Sequence, residues 1–154
     1  MKHLIVFYSR TKTTKKVAEA LAGELDCDVE EIFDTKNRDG ALGFMSAGRA
    51  AMAKKLTKLK DIEIDPSGYD MVILGTPVWA GTMSAPMRTY IKTHCDKFRK
   101  VAFFVTCNND KGKAFQHMQD DCKNKPEATL ELRAKEVKRN EHIAKVTEFA
   151  AKLK

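Results

Sequence analysis

Three observations predict an α/β fold in which a parallel sheet carries helices on both faces. Short apolar runs alternate with amphipathic helical patterns along the whole chain. Two of the runs, 71–74 (MVIL) and 101–106 (VAFFVT), lack the polar alternation of a half-exposed strand, as expected of strands buried on both faces. Polar, turn-rich loops follow the runs at 9–14, 76–84 and 107–112. The 154 residues, 43% of them hydrophobic, suit one domain spanning 1–154 with a sizeable core.

The elements follow in order. Residues 3–8 (HLIVFY) form the first strand, and from Thr13 a helix repeats Val17, Leu21 and Leu25 at four-residue spacing. Residues 29–33 (VEEIF) read as a weaker strand near a sheet edge, and 34–40 (DTKNRDG) as a turn. A helix is expected over 41–59, built from Leu42, Met45, Met52 and Leu56 with small residues between them. The buried strand 71–74 ends at Gly75, and Pro86 suits the first turn of a helix running to about Cys95. The strand 101–106 precedes a helix over 113–123, residues 128–137 (ATLELRAKEV) alternate as a last strand, and Asn140 caps a final helix bearing Ile143, Val146, Phe149 and Leu153.

Composition removes several classes of function. No apolar run approaches the roughly 18–20 residues that cross a bilayer, and Met1-Lys2-His3 opens no signal-peptide pattern, so a cytoplasmic location is expected. The 28 Lys and Arg exceed the 21 Asp and Glu for a net charge of +7, yet they are spread along the chain rather than gathered in a block, and no nucleic-acid partner is expected. Cys27, Cys95, Cys107 and Cys122 form no C-x-x-C pair and have no histidine at ligand spacing, which predicts reduced thiols and no metal.

In a parallel sheet, ligands sit beyond the carboxyl ends of the strands, which singles out the three polar loops. Ser9, Arg10, Thr11, Lys12, Thr13 and Thr14 put four hydroxyls and two cations between a strand and a helix N-terminus, where unpaired N–H groups and the helix dipole favour a phosphate. An N-cap alone needs one such hydroxyl. The second loop, with Thr76, Pro77, Val78, Trp79, Ala80 and Gly81, carries the only tryptophan, whose indole offers a flat surface to a planar ring. The third, with Cys107, Asn108, Asn109, Asp110 and Gly112, presents short donors and acceptors suited to the edge of a heterocycle, although turn chemistry also accounts for its composition. No catalytic acid, base or nucleophile stands out.

Two stretches, IVFYSRTKTTKKVAEALA (5–22) and YDMVILGTPVWAGTMSAPM (69–87), resemble the flavodoxin family of FMN proteins, and VAFFVTCNNDKG (101–112) resembles it less distinctively. The resemblance implies a doubly wound five-stranded parallel sheet in the order 2-1-3-4-5, with FMN as cofactor. Ser9 to Thr14 would surround its phosphate, Pro77 to Gly81 would flank the isoalloxazine ring, and Asn108 to Asp110 would approach the N3/O2/O4 edge. It also implies transfer of electrons between redox partner proteins; the alternative is an FMN-dependent NAD(P)H or quinone reductase.

The chain departs from the family in three ways. Lys12 stands where the family's phosphate loop usually has glycine, and Thr13 where asparagine is common. The basic balance is opposite to the family's usual acidity, which points to an acidic partner such as ferredoxin or a flavin/iron–sulfur reductase. Ala80 occupies a turn that, by the same resemblance, passes from type II to type II′ when the flavin is reduced. Type II′ needs φ > 0 at Ala80, so a cost of roughly 1–2 kcal/mol is expected to fall on the reduced state.

Overall fold

The computed structural model describes residues 1–35, 43, 45, 47 and 56–154. The chain alternates β1 (His3–Phe7), α1 (Thr13–Leu25), β2 (Asp28–Glu31), β3 (Met71–Trp79), β4 (Thr82–Met83), α2 (Ala85–His94), β5 (Lys100–Cys107), α3 (Ala114–Cys122), β6 (Thr129–Arg133), α4 (Ala134–Lys138) and α5 (Ile143–Leu153). Five strands lie side by side as β2-β1-β3-β5-β6, each parallel to its neighbour, while β4 folds back antiparallel on the end of β3. Counted in chain order, the parallel strands stand 2-1-3-4-5, as expected.

The period-2 geometry of a strand sends successive side chains to opposite faces, and here each face owns a core. Leu4, Val6, Val72, Leu74, Val101, Phe103 and Val105 point to the side covered by α2 and α3, where Met87, Tyr90, Ile91 and Met118 meet them. Ile5, Phe7, Met71, Ile73, Ala102 and Phe104 point to the side of α1 and α5, against Val17, Leu21, Val146 and Phe149. Unbroken hydrophobic runs in β1, β3 and β5 thus follow from burial on both sides. Gly75 stands opposite Phe104 in the β3–β5 register, and a Cβ there would lie 2.0 Å from the Phe104 Cζ, a clash that only glycine avoids.

Several boundaries move. β3 runs four residues beyond Gly75 and turns directly into β4, so the expected loop 76–84 is largely a β-hairpin. The last strand stops at Arg133 and its second half winds into α4, because the Glu136 carboxylate accepts the Arg133 N–H at 2.8 Å and starts a helix. Asn140 sits at φ 59° in the following turn, and His142 rather than Asn140 is the N-cap of α5. Ile143 faces solvent at 49% exposure instead of joining the apolar face. Of the helix expected over 41–59, most lies outside the described residues; Gly43, Met45 and Ala47 are helical, whereas Leu56 to Leu59 are not, and Leu59 forms an isolated bridge with Asp34. All four cysteines are free thiols, and no described helix is long and apolar enough to cross a membrane.

Candidate cofactor site

The carboxyl ends of β1, β3, β5 and β6 bring the predicted loops to one edge of the sheet. A cavity of about 290 Å³ opens there, lined by Val78 to Gly81 on one side and Cys107 to Asp110 on the other. A smaller one of about 80 Å³ shares Val78, Trp79, Cys107 and Asn108 with it and continues to Arg10, Thr11 and Thr13 at the start of α1. The two form one cleft, with a broad end between the second and third loops and a narrow end at a helix N-terminus.

At the narrow end, α1 has no cap from the side chain of its own N-cap residue, while Ser9 of the preceding loop accepts one N–H of its first turn. Its N-cap residue, Lys12, adopts φ 69° and ψ 1°, the left-handed conformation that costs a residue with a Cβ about 1–2 kcal/mol. This conformation explains why glycine suits the position and shows that lysine accepts it. The Lys15 N–H donates to Ser9 Oγ at 3.2 Å, Thr11 Oγ1 and Thr13 Oγ1 stand 3.3 Å apart, and Thr14 is turned inward, its hydroxyl 2.8 Å from that of Thr106. Arg10, Thr11 and Thr13 therefore line the cleft, whereas Ser9, Lys12 and Thr14 shape the loop from behind or beside it.

Trp79 is the last residue of β3 rather than part of a loop. It belongs to the core on the α2/α3 face, is 6% exposed, and meets the Tyr8 ring edge-on at 5.3 Å with an interplanar angle of 88°. It also lines both cavities, so one residue serves the core and the cleft. Ala80 and Gly81 form the two-residue turn between Trp79 and Thr82, with φ 50° and 77°. Positive φ at both central residues marks a type I′ turn, the form that matches the twist of a hairpin. The strain expected of Ala80 only after reduction is thus already present. Thr76 is fully buried and lies behind the cleft; its hydroxyl donates to Ser84 Oγ at 2.9 Å and accepts the Ser84 N–H at 3.0 Å, closing the base of the hairpin.

The third loop is held by two carboxylates. Asp110 Oδ1 accepts the Gly112 N–H at 2.8 Å, and Glu131 Oε2, from β6, accepts the Lys111 N–H at 2.6 Å. Burial, followed by the charges of Glu131 and Asp110, pushes the Cys107 thiol up to about 11, which keeps it protonated and non-nucleophilic at neutral pH. Gly112 lies outside the cleft and packs against Gly81, and the Lys113 N–H donates to Gly81 O at 2.7 Å. Among the described residues no group of three His, Cys, Asp or Glu side chains is placed to hold a metal.

Two lining residues escaped the sequence reading, Thr106 and Ala134. Thr106 lies within β5, just before the third loop. Ala134 follows β6, whose carboxyl end shares the same edge as the other strands; the signal for it was the sheet order itself.

No protein-family model and no curated protein matches the chain. Solved structures do. A flavoprotein from Lactobacillus acidophilus in complex with FMN is 25% identical with a TM-score of 0.72, over 90% of this chain and 97% of that one. Oxidised Flavodoxin 1 from Bacillus cereus superposes with a TM-score of 0.63 at 18% identity, over 99% and 96% of the two chains. Two-electron reduced flavodoxin from Megasphaera elsdenii gives 0.61 at 15% identity, over 99% of each. The 2-1-3-4-5 parallel sheet and these superpositions over nearly the full length of each chain give the protein a flavodoxin-like fold.

Proposed function

We propose that the chain binds FMN non-covalently and carries electrons between redox partner proteins. The observation that carries this reading is the joining of a broad cavity, flanked by Trp79 and by Asn108 to Asp110, to a narrow one that ends at the N-terminus of α1, whose N-cap residue supplies no side-chain cap. A planar ring system with a phosphate on a short polar chain has that shape and polarity. Arg10, Thr11 and Thr13 with the helix N-terminus would hold the phosphate, Trp79 would flank the ring, and Asn108, Asn109 and Asp110 would meet its polar edge. Lys12, exposed beside the loop, adds a positive charge near a dianion. FMN would supply the redox chemistry, while the protein orients the ring, sets its potentials and leaves one edge open to a partner. The neutral Cys107 thiol needs no part in it. The net charge of +7 favours an acidic partner, such as ferredoxin or a flavin/iron–sulfur reductase.

The test is the absorption spectrum of the purified protein, with the compound released on heating identified by mass. Oxidised-flavin bands and released FMN are expected, and electron exchange with an acidic ferredoxin should slow as salt is added. A colourless protein that leaves the fluorescence of added FMN unquenched overturns the reading. Rapid bleaching by NADPH with recovery on adding a quinone would instead make it a reductase.

A further inference from the structure

The turn that faces the broad cavity is fixed on both flanks by residues outside the cleft. Before it, Trp79 is seated edge-on against Tyr8. After it, the Gly81 carbonyl accepts the Lys113 N–H at 2.7 Å, and the side chain of Thr82, 4% exposed, is gripped twice: Arg88 Nη2 donates to Thr82 Oγ1 at 3.1 Å, and His117 Nδ1 lies 2.6 Å from the same oxygen. Arg88, from α2, is 2% exposed, and its other arm donates to Asp121 Oδ2 of α3 at 3.0 Å. Its Nε has no partner among the described residues. A buried ion pair is weak evidence for stability, since well-packed apolar residues often replace one without loss. What an apolar side chain at position 88 would lack is the reach to Thr82.

We propose that Arg88 and Thr82 are positioning residues that hold Ala80 in the left-handed conformation before any cofactor enters; this rests on the reading that the cleft takes FMN. Type I′ and type II′ turns both have φ > 0 at the first central residue and differ in sign at the second. Rotation of the Ala80–Gly81 peptide therefore converts one into the other while Ala80 keeps its φ, and glycine accepts either sign at the second position. Because the flanks are held, the strain of Ala80 is common to both arrangements, and reorienting the Ala80 carbonyl toward a reduced ring adds no new penalty there. With the grip on Thr82 released, Ala80 relaxes to φ < 0, and that penalty returns to the reduced state alone.

Two readouts test this, one without cofactor. In the cofactor-free protein, the Ala80 Cα and Cβ chemical shifts and its HN–Hα coupling report φ. Thr82→Val is expected to shift them away from left-handed values and Thr82→Ser to preserve them. In the FMN-loaded protein, Thr82→Val should lower the ratio of reduced to oxidised cofactor affinity in the first one-electron step about tenfold, making that potential about 59 mV more negative, with Thr82→Ser unchanged. Arg88→Lys keeps a charge beside Asp121 but loses the forked reach; it should shift Ala80 in the same direction, and it decides the matter should Thr82→Val fail to fold. An unchanged Ala80 signature in the Val or Lys variant overturns the proposal, as does a Ser variant that behaves like Val. A protein that takes up no FMN sinks the proposed function alone, because the resonance comparison still decides the role of Arg88 and Thr82.

Discussion

Gly112 lies so close to Gly81 that a Cβ built on it would stand 2.5 Å from the Gly81 carbonyl oxygen and 2.7 Å from its Cα. Two glycines in backbone contact thereby lock the hairpin turn to the third loop. Gly112 also sits at φ 53°, where a Cβ is strained in its own right. Gly112→Ala is expected to destabilise the protein by about 2–4 kcal/mol, combining left-handed strain with overpacking, and to weaken FMN uptake. Urea unfolding and fluorescence titration with FMN check the two effects.

Lys12 presents the opposite case. Its φ of 69° costs a residue with a Cβ energy that glycine does not incur. Lys12→Gly is expected to raise stability by about 0.5–1 kcal/mol, the relief of strain less the entropy glycine loses on folding. The same change removes one cation, so FMN binding should become less sensitive to salt. Thermal unfolding without cofactor and FMN titrations at two ionic strengths measure these.

His94 and His142 share a fate under acid. Each has a buried Nδ1 without a partner among the described residues, and burial, ahead of nearby Lys97 for His94 and Lys16 for His142, holds both below the ordinary imidazole range. Since the unfolded chain binds those protons more readily, stability is full above the unfolded imidazole value of about 6.5 and falls as the pH drops below it. Unfolding followed from pH 8 to 5 should show this decline, with a slope of up to one proton per histidine. Replacing His142 with glutamine should reduce the slope, and an unchanged slope would exclude His142 as a source.

Tyr90 carries a hydroxyl that is fully buried with no hydrogen-bond partner among the described residues, and burial raises its pKa. Its ring packs with His94 at 4.5 Å and Phe98 at 6.1 Å. Tyr90→Phe keeps those contacts and removes an unsatisfied polar group, whose burial costs about 1–3 kcal/mol. Stability should be unchanged or higher by up to about 1 kcal/mol in denaturant unfolding; a loss would reveal a hydrogen bond to the hydroxyl in solution.

The parallel sheet and the position of the cleft were legible because alternation of apolar runs with helical patterns leaves few topologies, and such sheets bind ligands at one edge. The hairpin was not. Its turn is Ala80-Gly81, and alanine at φ > 0 breaks the Asn-Gly pattern by which type I′ turns announce themselves. The sequence 128–137 misled because Thr129 to Arg133 alternates as a strand while Ala134 to Val137 continues the alternation locally, and only the contact between Glu136 and the Arg133 N–H distinguishes a helix start. Within the loop 9–14, composition identified the hydroxyls but not their directions. Thr14 turns to Thr106 and Ser9 to the Lys15 N–H, contacts that depend on how β5 and α1 come together.

Trp79 joins the core and the cleft, and it is the chain's only indole. Excitation at the red edge of protein absorption therefore isolates a single emitter at the mouth of the site, with Tyr8 close enough to pass it energy. Its near-complete burial implies blue-shifted emission from the folded protein and a red shift on unfolding. One unlabelled fluorescence channel thus reports both the integrity of the fold and the arrival of any ring that lies against the indole.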